Sequence, residues 1–287
     1  MIRQTTRRLR SGMYNPVIPT SGFAGWNFLQ ATYDRQLQSH SDSVTVANDR
    51  NYMLEKLSSP ITQEDFLDDR RLLGAAMAAF DLGGEEWKRG FIDKALTEAA
   101  DPESSFLARL NNPQYTAFAE MFRPSGGIIA LSEEKLAELS QDYNRETFET
   151  AVGDVDNSMR LALNFQSGIS ELVGENSSEK AILYRMLGSV PVRTVLETAT
   201  GLPTDIRSLS LDKQADMLQD RLSSQFGISD LNQLKDPEII DKVLTRFQAI
   251  ESINQGVTAT TPGSTALTLL QGIGSTASQN LFLSGLL

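Results

Sequence analysis

Apolar residues in this chain recur at spacings of three and four from residue 26 to residue 250, which commits it to an all-α fold. Trp26, Leu29, Tyr33 and Leu37 make one face of a first helix. Thr62 followed by Asp65 resembles a capping box. It predicts a helix whose buried stripe is Phe66, the stem of Arg70, Leu73, Met77 and Phe80, stopped by Gly83 and Gly84. Trp87, Phe91, Ala95 and Ala99 form the next face. Asp101-Pro102, Asn112-Pro113 and Asp236-Pro237 each place an N-capping side chain before a proline suited to a first helical position. From Ser132, the stripe Leu136, Leu139, Tyr143, Phe148, Val152, Val155, Met159, Ala162, Ile169 and Leu172 predicts one long helix, or two meeting near Gly153. Ser210 opens a helix carrying Leu211, Ala215, Leu218, Leu222 and Phe226, which Gly227 closes. Ile240, Val243, Phe247 and Ile250 mark a last one from Pro237. Val44–Val46 and Ile128–Leu131 are too short to support a sheet.

The two halves echo each other. Tyr33-Asp34-Arg35 matches Tyr143-Asn144-Arg145, and Arg71-Leu72-Leu73-Gly74 matches Arg185-Met186-Leu187-Gly188. Leu110-Asn111-Asn112-Pro113, ending at Phe122, matches Leu234-Lys235-Asp236-Pro237, ending at Phe247. The offsets rise in order from 110 to 125, the signature of a duplicated unit with small insertions in its second copy. The resulting division is a flexible basic N-terminus (1–20), a first helical unit (21–130), a second helical unit (131–254) and an uncharged tail (255–287) in a bundle-like array. Each Tyr of the Tyr-x-Arg pairs is expected in the core, with the Arg paired to a surface acid.

Charge restricts the partners. The net charge is −11, and because residues 1–12 hold Arg3, Arg7, Arg8 and Arg10 without an acid, residues 13–287 carry −15. So acidic a body repels phosphate backbones, which argues against nucleic acid. No run reaches the roughly 18–20 apolar residues of a membrane helix. Thr6–Ser11 is loosely like a twin-arginine signal, but Asn15, Pro16, Pro19 and Gly22 occupy the place of its apolar stretch, so no cleavable signal is expected. Met13 is an alternative start.

Residue chemistry offers no catalytic, cofactor or metal site. The chain has no cysteine, which removes disulfides, thiolate metal sites and a cysteine nucleophile. His40 is the only histidine, and it reads as a solvated residue near a helix end. Asp154, Asp156 and Ser158 mimic the start of a calcium loop, yet Met159 stands where it needs glycine and Phe165 where it needs glutamate. They read instead as a helix-start cluster. Glu64, Asp65, Asp68 and Asp69, followed by Arg70 and Arg71, are acids at a helix start with bases one turn on. Gly272-Ile273-Gly274 lacks the preceding strand of a dinucleotide loop.

After Glu251 no charged side chain remains. Leu267, Leu270, Ile273 and Leu281 sit there at roughly helical spacing and form the candidate partner-binding tail. The alternative is a flexible end with a fragment of docked helix.

Three segments carry a family resemblance: Thr20-Ser21-Gly22-Phe23-Ala24-Gly25-Trp26; Asp69-Arg70-Arg71-Leu72-Leu73 with Ala79-Phe80-Asp81-Leu82; and Asp156-Asn157-Ser158-Met159-Arg160-Leu161-Ala162-Leu163-Asn164. In these the chain resembles the bacterial domain-of-unknown-function family 1217, found mainly in α-proteobacteria and often encoded in flagellar gene clusters. The resemblance implies a flagellum-associated role with basal-body or export components as protein partners, and transfers no active-site residue. The expectation is therefore a non-enzymatic structural or assembly protein, cytoplasmic as synthesised and compatible with self-association. The alternative is a cytoplasmic export chaperone or regulator. An enzyme ranks third, and would need a cleft of convergent acids.

Overall fold

Several helix starts rest on a side chain that offers its oxygen to a free backbone N–H, as Thr62, Asp69, Asn112, Ser132, Asp156 and Ser178 do. The computed structural model describes residues 14–258 apart from 102, 111 and 175–177. Among those residues the chain forms thirteen α-helices and one two-stranded sheet. The fold is all-α, as the periodicity predicts.

The first half holds α1 (Gly22–Ser41), α2 (Val44–Leu57), α3 (Gln63–Asp68), α4 (Arg70–Ala78), α5 (Arg89–Ala100), α6 (Phe106–Leu110) and α7 (Pro113–Met121). The strands β1 (Ile61–Thr62) and β2 (Ile128–Ile129) pair antiparallel, Ile61 with Ile129. The second half holds α8 (Glu133–Val155), α9 (Asn157–Leu172), α10 (Glu179–Gly188), α11 (Val190–Thr200), α12 (Leu211–Phe226) and α13 (Pro237–Thr258). Ser132 caps α8 through the Lys135 N–H, and Asn112 caps α7 through that of Tyr115. The break between α8 and α9 falls at Asp156, three residues past Gly153. Its carboxylate accepts from the N–H and the hydroxyl of Ser158. Asp156→Ala is expected to cost about 1 kcal/mol by removing this cap, measured by urea unfolding.

Several expectations are corrected. The helix predicted from Thr62 is two, because Asp69 leaves the helical conformation (ψ 91°) and turns its side chain onto the N–H groups of Arg71 and Leu72. That shifts the phase of α4, and Arg70 is exposed rather than buried along its stem. Trp87 is 75% exposed, because it lies in a 3₁₀ turn (Glu86–Lys88) that does not continue the face of α5. Asp101 accepts from the Glu103 N–H, but α6 starts only at Phe106. Val44–Val46 opens α2.

The helices enclose two cores. The first gathers Val46, Met53, Phe66, Leu72, Met77, Ile92, Phe118 and Phe122. Within it the Phe66 and Phe118 rings stand 4.9 and 5.0 Å from that of Phe122. The second gathers apolar residues from α9 to α13, including Phe165, Val195, Leu218 and Phe247. α8 serves both: Leu139 and Tyr143 lie in the first core, Phe148 and Val152 in the second.

The cores do not divide at residue 130, since α1 packs along α8, α9 and α13 and puts Trp26 and Leu29 into the second core. Tyr33 and Tyr143, the first matched pair, both sit within long helices. Arg71–Gly74 opens α4, whereas its match Arg185–Gly188 closes α10.

Candidate functional site

The tail residues Leu267, Leu270, Ile273 and Leu281 lie outside the described residues. Within them, the most unusual chemistry sits where α8 passes from one core to the other. Asp142, Arg145, Glu146 and Glu149 are spaced three, one and three apart, which stacks them on one face of α8. That face looks into the seam between the cores.

Two more segments reach the same seam. After α4 the chain turns through Asp81, the only non-glycine residue with positive φ (57°) among those described. Asp81 pairs with Arg160 of α9, joining the first core to the second. Arg160 gets there by lying across α8 at Gly153, where an added Cβ would stand 2.5 Å from its Cδ. One turn further along α9, the Asn164 amide donates to a Glu149 carboxyl oxygen at 2.6 Å. Asp81, Arg160 and Asn164 all belong to segments that carry the family resemblance, and the fold brings those segments together.

Arg145 bridges Asp142 at 2.8 Å and Glu146 at 3.2 Å. The seam thus sets four carboxyls against two guanidinium groups, an excess of two negative charges if all are ionised. Glu149 is 1% exposed. Burial, reinforced by the Glu146 charge, pushes its carboxyl up to about 8. Burial likewise raises Glu146 to about 7 against the pull of Arg145. Burial raises Asp142 and Asp81 too, opposed by their arginines.

Beside this cluster opens a cleft of about 640 Å³. Its walls include α7 (Gln114, Glu120) and α9 (Ser167, Glu171), and Asp142, Arg145 and Glu146 of α8 also line it. Carboxyls near neutrality beside such a cleft can exchange protons with solvent. Among the described residues no group of three or more His, Cys, Asp or Glu is arranged to hold a metal ion, and no helix is long and apolar enough to cross a membrane.

Two single-residue expectations change here. His40 is buried, not solvated: its Nε2 lies 3.2 Å from Thr147 Oγ1 and its ring packs on Phe148, 5.7 Å between centroids. Burial lowers its pKa. Tyr143 is in the core as expected, but Arg145 pairs with acids of the seam rather than of the open surface. Apolar periodicity does not reveal the cluster, because it marks only the core-facing stripe of α8. The signal available was three carboxyls at one helical face around a single arginine.

A family model described as a protein of unknown function (DUF1217) matches residues 79–240, more than half of the chain. The matched span contains the whole seam. No curated protein matches. Among solved structures, an X-ray structure of a protein from Agrobacterium tumefaciens is similar at 24% identity with a TM-score of 0.65, covering 84% of this chain and 99% of that one. That likeness speaks to the fold alone.

Proposed function

We propose, because this chain belongs to the DUF1217 family, that it is a non-enzymatic flagellum-associated protein, structural or assembly-directing, that works through contacts with other proteins. The observation that carries the contact reading is Trp87. It stands 75% exposed between α4 and α5 with the Lys88 ammonium 5.5 Å from its ring. A tryptophan presented to solvent beside a cation is of the residue type most enriched at the energetic centres of protein interfaces. The body charge of −15 supports protein over nucleic acid as the partner. The flagellar context is supported by the family resemblance. The ordered matches support an internal duplication as the origin of the helical body.

The test is fractionation of cells that make the protein. The native chain is expected to co-purify with flagellar basal bodies, and Trp87→Ala to reduce that at least about tenfold while the purified variant melts as the native chain does. Recovery only from cytosol would favour the export chaperone or regulator. Equal recovery of Trp87→Ala would remove Trp87 from the contact. A catalytic reading is favoured by one observation, the acid-lined cleft at Glu146. It would require turnover that Glu146→Gln abolishes.

A further inference from the structure

The seam explains itself only in part as packing. Asp81–Arg160 is the ion pair that joins the turn after α4 to α9. Beneath it lie more carboxyls than guanidinium groups. We propose that the seam is a proton-responsive latch, which holds the two cores closed when protons balance its carboxyls and loosens when those protons leave.

Every element packed around Glu146 and Glu149 enters the balance. From α8 come Asp142 and Arg145, with Glu138 a turn before, and from α9 come Arg160, Asn164 and Glu171. The turn after α4 supplies Asp81, and α1 supplies Tyr33 and Asp34. The first-core helix α2 faces elsewhere on α8, with Arg50 donating to Asn144 at 2.9 Å. Glu146 and Asp81 thus act on Glu149 against Arg145 and Arg160, and the carboxyls of the seam outnumber its two arginines. When Glu146 and Glu149 ionise, the excess negative charge has two outlets: water entering the seam, or separation of Asp81 from the α8 carboxylates.

Geometry decides between these. Glu149 has no open path to solvent at 1% exposure, whereas the cleft beside Glu146 is already open. Water reaches Glu149 only if the walls part. Asp81, at a turn in the left-handed conformation that aspartate accepts, is the first-core end of the latch.

The absence of cysteine makes the test direct. Spin labels on Gln114→Cys and Ser167→Cys sit on two walls of the cleft, α7 and α9, without altering a charge. At about pH 6 a single short distance is expected, and at about pH 9 a second, longer population, reversible on acidification. In a Glu146→Gln/Glu149→Gln background the short distance should persist at both pH values. Asp81→Asn, which tolerates the left-handed turn but removes the charge that the α8 carboxylates repel, should keep the short distance at both. An unchanged distance across pH in the native background would overturn the latch, as would a full pH response in the double glutamine variant.

Discussion

Replacing Glu149 by glutamine is expected to stabilise the protein by about 3 kcal/mol at pH 9 and to change it little at pH 4. The carboxyl is raised from 4.5 to about 8 by burial. Between those values the unfolded chain has released the proton and the folded chain keeps it. Folding stability therefore falls as pH climbs from 4.5 towards 8, and the whole penalty is in force above 8. Below 4.5 both states are protonated and the group contributes nothing. At about 1.4 kcal/mol per pH unit the ceiling approaches 5 kcal/mol, and water entering the seam brings it down to about 3. Glutamine escapes the penalty because its carbonyl still accepts from the Asn164 amide. Urea unfolding at pH 5, 7 and 9 measures the effect. The native chain should lose stability across the series and the variant should lose much less. Equal slopes for the two would mean that Glu149 is not kept protonated by the fold.

How far the sequence foretold this depends on the physics behind each feature. Caps are local, so Ser132, Asn112 and Asp156 were legible: the same oxygen reaches an N–H two or three residues on in any helix start. The core stripes are legible for the same reason, from Trp26 and Leu29 to Val243 and Phe247, except at helix ends, where Val155 and Leu211 are 50% and 44% exposed. Asp69 was not, because an aspartate can extend a first turn or cap a new one. Here Tyr52, donating to it at 2.6 Å from another helix, favours the cap. His40 misled because a polar residue near a helix end is usually wet, and only tertiary packing brings Thr147 and Phe148 against it. The seam lay furthest from view. Asp81 and Arg160 are 79 positions apart, and nothing local to either announces the other. The resemblance did single out both segments, without a physical reason for them. The Asp81–Arg160 pair and the Asn164–Glu149 hydrogen bond supply one.

The segment from Thr20 to Trp26 acquires its reason in the same way, and gives the second large effect. Gly25→Ala is expected to destabilise the protein by about 3 kcal/mol, against the sign that helix propensity alone would give. In an open helical position the change from glycine to alanine gains roughly 0.5–1 kcal/mol. At Gly25 the new Cβ would stand 1.8 Å from the Thr20 carbonyl oxygen and 3.1 Å from Met159 Cε. The first obstacle is backbone and cannot rotate away, so the chain before α1 must move. That chain is held by Gln36, which accepts from the Val17 N–H at 2.7 Å and donates to the Val17 carbonyl at 3.1 Å. Gln36 is 4% exposed, so pulling Val17 away strands a buried amide, at about 1–3 kcal/mol. Overpacking against Met159 adds a similar amount. Gly90, in the first turn of α5, is the internal comparison: an added Cβ there meets nothing within 4 Å. Gly90→Ala should be neutral or stabilising by roughly 0.5 kcal/mol. Urea midpoints of the two variants, compared with the native chain, decide the matter. A Gly25→Ala midpoint at or above the native one would show that the Thr20 carbonyl gives way freely and that close approach is not why glycine stands there.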